Sequence, residues 1–172
     1  MAAPYRFGPA APEESIVYGS AAPTWRADSE DPVGEWLEFV REREVERVLC
    51  LLTDAQLERT GIDLDRYRDV FGPGRVAHVP ITDHQLADKA TLREALAVLE
   101  QADSVGESIV VHCLAGIGRT GHVLAAWLVS ARGYGPDEAI TTVSKSGRTP
   151  DEAVKAGNAT REGLLGLLQS VA

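Results

Sequence analysis

A cysteine and an arginine separated by a glycine-dotted turn can set a nucleophile against an anion, and residues 110–121, VVHCLAGIGRTG, hold all three parts. Cys113 follows an apolar run, and Arg119 stands six residues beyond it. A thiol after such a run is ordinarily core filler, because free cysteine packs as a small hydrophobe. The next residues support another reading. Glycine allows close backbone approach, so Leu114, Ala115, Gly116, Ile117 and Gly118 can turn their N–H groups inward as an anion cradle. A helix starting there adds partial positive charge at its N-terminus. Arg119 offers a planar fork matched to two phosphate oxygens. At the floor of the cradle, donors and positive charge around Cys113 would stabilise a thiolate. Cradle, fork and thiolate together suggest nucleophilic attack on phosphorus.

Two neighbouring chemistries are excluded. A nucleotide-binding phosphate loop needs a lysine after its last glycine, and the sequence has none there. A metal site needs further ligands at fixed spacing, and His112 with Cys113 lacks them. Neither a metal nor a cofactor is therefore expected.

The elements that would hold this loop follow from periodicity and punctuation. "ESIVVHC" is a continuous apolar run, as for a central parallel strand covered on both faces. "RTGHVLAAWLVSARG" reads as a helix ending at Gly133. Strands are also expected within "SIVYGS", over 46–52 and over 75–81. A helix should open at Pro32 with Asp31 as cap, and Thr53-Asp54 should start another. Residues 62–74 read as a helical turn or two ending in glycines. Leu92, Leu96 and Leu99 mark a helix within residues 88–103. Two more helices are expected, one between Pro136 and Gly147 and the last over about 160–171. Alternating strands and helices imply an α/β fold: a mainly parallel central sheet flanked by helices. Residues 1–14, rich in proline and alanine, are expected to be loose, with 15–172 as one domain.

Composition narrows the class. The chain has 172 residues, enough for one domain with its own core. Its net charge of −9 disfavours nucleic acid and anionic membranes as partners. No apolar run reaches membrane-spanning length. The N-terminal residues lack a signal-peptide pattern, and two cysteines make no disulfide framework. A cytoplasmic, monomeric protein is the expectation.

"HCLAGIGRTG" resembles the signature of the cysteine-dependent protein tyrosine and dual-specificity phosphatases: His, Cys, five residues, Arg, Ser or Thr, Gly. The resemblance covers roughly residues 15–145, through "IVYGSAAPT", "VLCLL", "VPITD" and the helix after Arg119. It looks closest to small, compact dual-specificity-type enzymes, with the fold those enzymes share. It implies metal-independent hydrolysis of phosphomonoesters through a cysteinyl phosphate, on phosphoproteins carrying phosphotyrosine first, with phosphoserine and phosphothreonine as further candidates. By the same resemblance His112 orders the loop and tunes the thiolate, and the Thr120 hydroxyl bonds the sulfur once phosphate leaves.

The resemblance also asks for an aspartate as general acid on a loop before the preceding helix. "HVPITDHQLAD" offers Asp83, 30 residues before Cys113, while Asp88 suits the cap of the following helix. His84 reads as a solvated neighbour or a pH-tuning one, and His122 as packing or surface. Arg148 reads as a surface residue, with substrate contact as the alternative. No water-positioning residue is evident in "SGRTPDEAVKAGNATREG". Cys50 reads as core, with a redox partner of Cys113 as the sharper alternative. Apolar Leu114, Ala115 and Ile117 disfavour a phosphoinositide, for which loop lysines are common in this superfamily. Two other readings stay open: a catalytically silent phosphate-reading module, and an RNA 5′-triphosphatase.

Overall fold

The computed structural model describes residues 3–172. Five strands form one sheet: β1 (Gly8–Pro9), β2 (Val17–Ser20), β3 (Arg47–Cys50), β4 (Val76–His78) and β5 (Ile109–His112). Their order is β1-β2-β5-β3-β4, with every pair parallel except the short antiparallel β1–β2 edge. The last strand in sequence therefore lies at the centre, and its carboxyl end opens into the Cys113 loop. That is the edge where open α/β sheets place ligands.

Eight α-helices accompany the sheet: α1 (Pro32–Glu42), α2 (Asp54–Thr60), α3 (Leu64–Phe71), α4 (Lys89–Val105), α5 (Gly118–Arg132), α6 (Pro136–Lys145), α7 (Glu152–Lys155) and α8 (Arg161–Ser170). Side-chain alternation along the strands splits the core in two. Leu49, Ile109 and Val111 pack with Leu92, Leu99, Leu124 and Leu164 of α4, α5 and α8. Val48, Cys50 and Val110 pack with Trp36 of α1 and Tyr67 of α3 on the other face. Helix α5 is buried along nearly its whole length, from Gly118 to Val129, so the helix that carries Arg119 is clamped on several sides.

Local chemistry sets the ends of these elements. Asp31 caps α1 at Gly34 N, with Pro32 in the first turn. Thr53 caps α2, and Gln56 returns the bond to Thr53 N in a capping box. Gly133 closes α5 in the left-handed region. The strands are shorter than the apolar runs that announce them: β3 spans 47–50 rather than 46–52, and β4 spans 76–78 rather than 75–81. The chain beyond them stays extended and hydrogen-bonded, Leu51 N to His112 O, Val79 N to Cys50 O and Ile81 N to Leu51 O. Those bonds carry residues 79–83 to the same edge as Cys113.

One expectation fails. The composition of residues 1–14 predicts a loose segment, yet within the described part Gly8 and Pro9 pair with β2 and Ala10 is fully buried. The anchor is Glu14, whose carboxylate accepts from Ile16 N, Val17 N, Trp127 Nε1 and Arg132. Burial works against that charge, but the bonds from Arg132, the two backbone amides and Trp127 outweigh it and hold the carboxyl below its ordinary pKa. Proline and alanine content hid a segment held by strand pairing and by a buried carboxylate.

Candidate active site

The Cys113 loop is fitted against the end of β2. Gly116 sits at φ +75°, and a Cβ there would lie 2.6 Å from Ala21 N and 2.7 Å from Ser20 C. Both facts require glycine, one for conformation and one for space. Ala22 N donates to Leu114 O at 2.8 Å. Cys113 itself is buried, and its loop runs straight into the first turn of α5.

His112 is fully buried between Trp36 and Tyr67. Burial pushes its pKa down to about 4, so the ring is neutral at pH 7. Its Nδ1 lies 2.9 Å from Cys113 O, which can only accept, so the proton is on Nδ1. Nε2 then accepts from Tyr67 OH at 3.0 Å. The imidazole fixes the carbonyl next to the thiol and is itself fixed by α3.

Arg119 is buried, and its guanidinium is divided between two tasks. Nη1 donates to Gln56 Oε1 at 2.7 Å and to Ile81 O at 3.0 Å. Nη2 lies 3.4 Å from Asp83 Oδ1, and Nε has no acceptor among the described residues. With one amine pinned by neutral groups, the Nε–Nη2 edge is presented as a fork. The Thr120 hydroxyl is likewise buried without a partner among the described residues.

Asp83, with its side chain 39% exposed, thus stands beside Arg119. Asp88 does something else: its carboxylate accepts from Thr91 N at 2.8 Å and caps α4. His84 follows Asp83 at φ +61° and reaches two carboxylates, Asp83 at 3.6 Å and Glu152 at 3.3 Å. Ligand atoms of Asp83, His84 and Glu152 lie within 4.8 Å of one another, but the Arg119 cation beside Asp83 opposes a metal ion there.

The 79–88 segment is tethered at two more points. His122 Nε2 accepts from Ala87 N at 3.2 Å, and Asn158 Nδ2 donates to His84 O at 2.9 Å. His122 is buried and, like His112, is pushed down to about 4 by burial. Cys50 lies in the core beside His112 in register, and burial pushes its thiol up to about 12.

Arg148 corrects the sequence reading. It is 5% exposed, far from a surface residue. Nη1 donates to Gly116 O in the loop, and Nη2 donates to Arg6 O at 2.7 Å. A Cβ on Gly19 would lie 2.8 Å from its guanidinium carbon, so glycine in β2 makes room for it.

Three residues near the loop escaped sequence reasoning. Gln56 carried a signal, the capping box, but not its second bond to Arg119. Glu152, whose carboxylate lies where a Cβ on Gly118 would go, and Asn158 carried none. Both fall in the segment after α6 that departs from the resembled pattern.

The family described as "Tc-R-P: Polymorphic toxin system, DSP-PTPase phosphatase" matches residues 24–133. The dual specificity protein phosphatase Mpk3 of Drosophila melanogaster is 36% identical over 81 residues, covering 46% of this chain and 19% of that protein. The dual specificity protein phosphatase H1 of Variola virus is 29% identical over 70 residues, covering 40% of this chain and 41% of the relative. These matches thus span less than half the length of either relative. Among solved structures, the active form of Tk-PTP superposes with a TM-score of 0.69 at 25% identity, covering 92% of both chains. Kinase associated phosphatase, with its catalytic-site cysteine replaced by serine, gives 0.69 at 20% identity, covering 90% of this chain and 84% of that one. The fold is that of the protein tyrosine phosphatases.

Proposed function

Because this chain belongs to the Tc-R-P family, the DSP-PTPase phosphatases of polymorphic toxin systems, we propose that it hydrolyses phosphomonoesters through a cysteinyl-phosphate intermediate. The observation that carries this reading is the divided guanidinium of Arg119. Nη1 is held by Gln56 and Ile81, while Nη2 faces Asp83 at 3.4 Å and Nε has no acceptor among the described residues. One arginine thus offers oxyanion binding within reach of a proton donor.

In the first step Cys113 sulfur forms a bond to phosphorus as the phosphorus–oxygen ester bond breaks. The equatorial oxygens rest on the backbone N–H groups of residues 114–118 and on Arg119. Asp83 gives its proton to the leaving oxygen. In the second step a water oxygen bonds to phosphorus and the sulfur–phosphorus bond breaks. Asp83 takes the water's proton, and the Thr120 hydroxyl donates to the departing thiolate. His112 acts without touching substrate, by fixing the Cys113 carbonyl. No metal takes part in either step.

Phosphoproteins are the proposed substrates, with phosphotyrosine first. Two considerations support this. The matched relatives are named as dual specificity protein phosphatases, and the loop side chains Leu114, Ala115 and Ile117 bring no lysine for a polyanionic inositol ring.

The test is phosphate release from p-nitrophenyl phosphate in EDTA, then from phosphotyrosine, phosphoserine and 5′-triphosphorylated RNA. Turnover should survive EDTA. Cys113→Ser should abolish it while vanadate still binds. Activity retained in Cys113→Ser, or lost on chelation, overturns the mechanism. Vanadate binding without turnover in the unaltered chain would make the protein a phosphate reader instead.

A further inference from the structure

The N-terminal segment and the end of α6 enclose a pocket of about 380 Å³ that the proposed reaction does not use. Phe7, Pro9 and Ala11 contribute apolar wall, and Arg6, Lys145 and Arg148 contribute positive charge. Among the described residues no carboxylate lines it. In a chain of net charge −9, three cations around one apolar hollow run against the overall sign. None of the three forms an ion pair among the described residues.

Arg148 is the sharpest of these observations. Its guanidinium is buried and, among the described residues, bonded only to the neutral carbonyls of Gly116 and Arg6, while Nε has no acceptor there. A buried cation without a compensating anion is costly. Burial pulls Arg148 down to about 10, and the opposing pull of the Cys113 sulfur offsets that only in part. The volume lies within the usual range for small-molecule sites, which combine apolar walls with a few fixed polar groups.

We propose that this pocket binds a small organic anion, a carboxylate, sulfate or phosphate head on an aryl or short acyl body, at a site separate from the Cys113 loop. The apolar wall takes the body, and Arg6, Lys145 and Arg148 take the head. Arg148 is the residue the two sites share, since it also holds Gly116 O. The binding itself does not depend on the proposed reaction.

The test is calorimetric titration of the full chain with 2-naphthoate, alongside 2-naphthamide and inorganic sulfate. Naphthoate should bind saturably at one site per chain, and the neutral amide and bare sulfate each about tenfold or more weaker. Lys145→Glu reverses one cation at an exposed position, and Thr142→Trp fills the hollow. Each should weaken naphthoate by about tenfold or more with an unchanged circular dichroism spectrum. Saturating vanadate should leave naphthoate bound. Absence of saturable binding overturns the proposal, as does equal affinity in both variants or full displacement by vanadate. Because vanadate reports on the Cys113 loop alone, failure here is distinct from failure of the catalytic reading.

Discussion

Arg119 Nη1 and Gln56 Oε1 lie 2.7 Å apart, joining helix α5 to helix α2 across the site. The same amide oxygen accepts from Thr53 N, so one side chain both closes a helix cap and holds the Arg119 guanidinium. In Gln56→Ala, Nη1 keeps only Ile81 O and the guanidinium is free to turn. Vanadate affinity should fall by about tenfold, near 1.4 kcal/mol. Thr53→Ala separates the roles, because it removes the cap hydroxyl and leaves Gln56 in place. It should cost about 1 kcal/mol of stability with vanadate affinity kept. Unchanged affinity in Gln56→Ala would mean that Gln56 serves the helix alone.

The proton donor is tested by leaving groups. If Asp83 protonates the ester oxygen, Asp83→Asn should slow phenyl phosphate by about a hundredfold or more. The slower the ester's own departure, the larger the loss, so p-nitrophenyl phosphate should suffer least. Asp88→Ala should lower the melting temperature by removing the α4 cap and leave the leaving-group dependence alone. A steepened dependence in Asp88→Ala instead would reassign the acid.

What could be read in the sequence follows physical range. The loop, its strand and its helix are local, so "VVHCLAGIGRTG" announced them, as Asp88 before the α4 pattern announced its cap. The place of Asp83 beside Arg119 was legible because the extended chain after β4 returns it to the sheet edge. Glu14, Gln56 and Arg148 were not, since their partners lie 113, 63 and 32 residues away. Arg148 looks solvent-bound in "SGRTPDE" because nothing local reveals the space that Gly19 leaves for it. Side chains that brace a site from a distance are visible only once the fold is closed.

The glycines of the loop should differ in tolerance. Gly116→Ala meets backbone, Ala21 N at 2.6 Å, and must also hold φ +75°. The left-handed conformation alone costs about 1–2 kcal/mol, and the loop must move away from β2. Vanadate affinity should fall by more than about tenfold. Gly118→Ala meets only the Glu152 side chain, which can swing aside. Its loss should be clearly smaller when both variants are titrated with vanadate. Equal losses would show that the contact with β2 does not shape the cradle.

Acid stability should report the two buried histidines. His112 and His122 are both pushed down to about 4 by burial, whereas an unfolded histidine titrates near 6.5. Between those values the unfolded chain binds protons that the folded chain refuses. Stability is therefore full above about pH 6.5 and falls as pH drops toward 4. At its steepest, each histidine contributes roughly 1.4 kcal/mol per pH unit. Glu14, held below its ordinary value, adds its own loss only at lower pH, as the solution passes through the carboxylate range. The window from pH 6.5 to 5 thus isolates the histidines. Urea titrations across it should show the decline, and His122→Gln, which can still accept from Ala87 N, should roughly halve its slope. A flat profile over that window would mean that neither ring is held neutral by the fold.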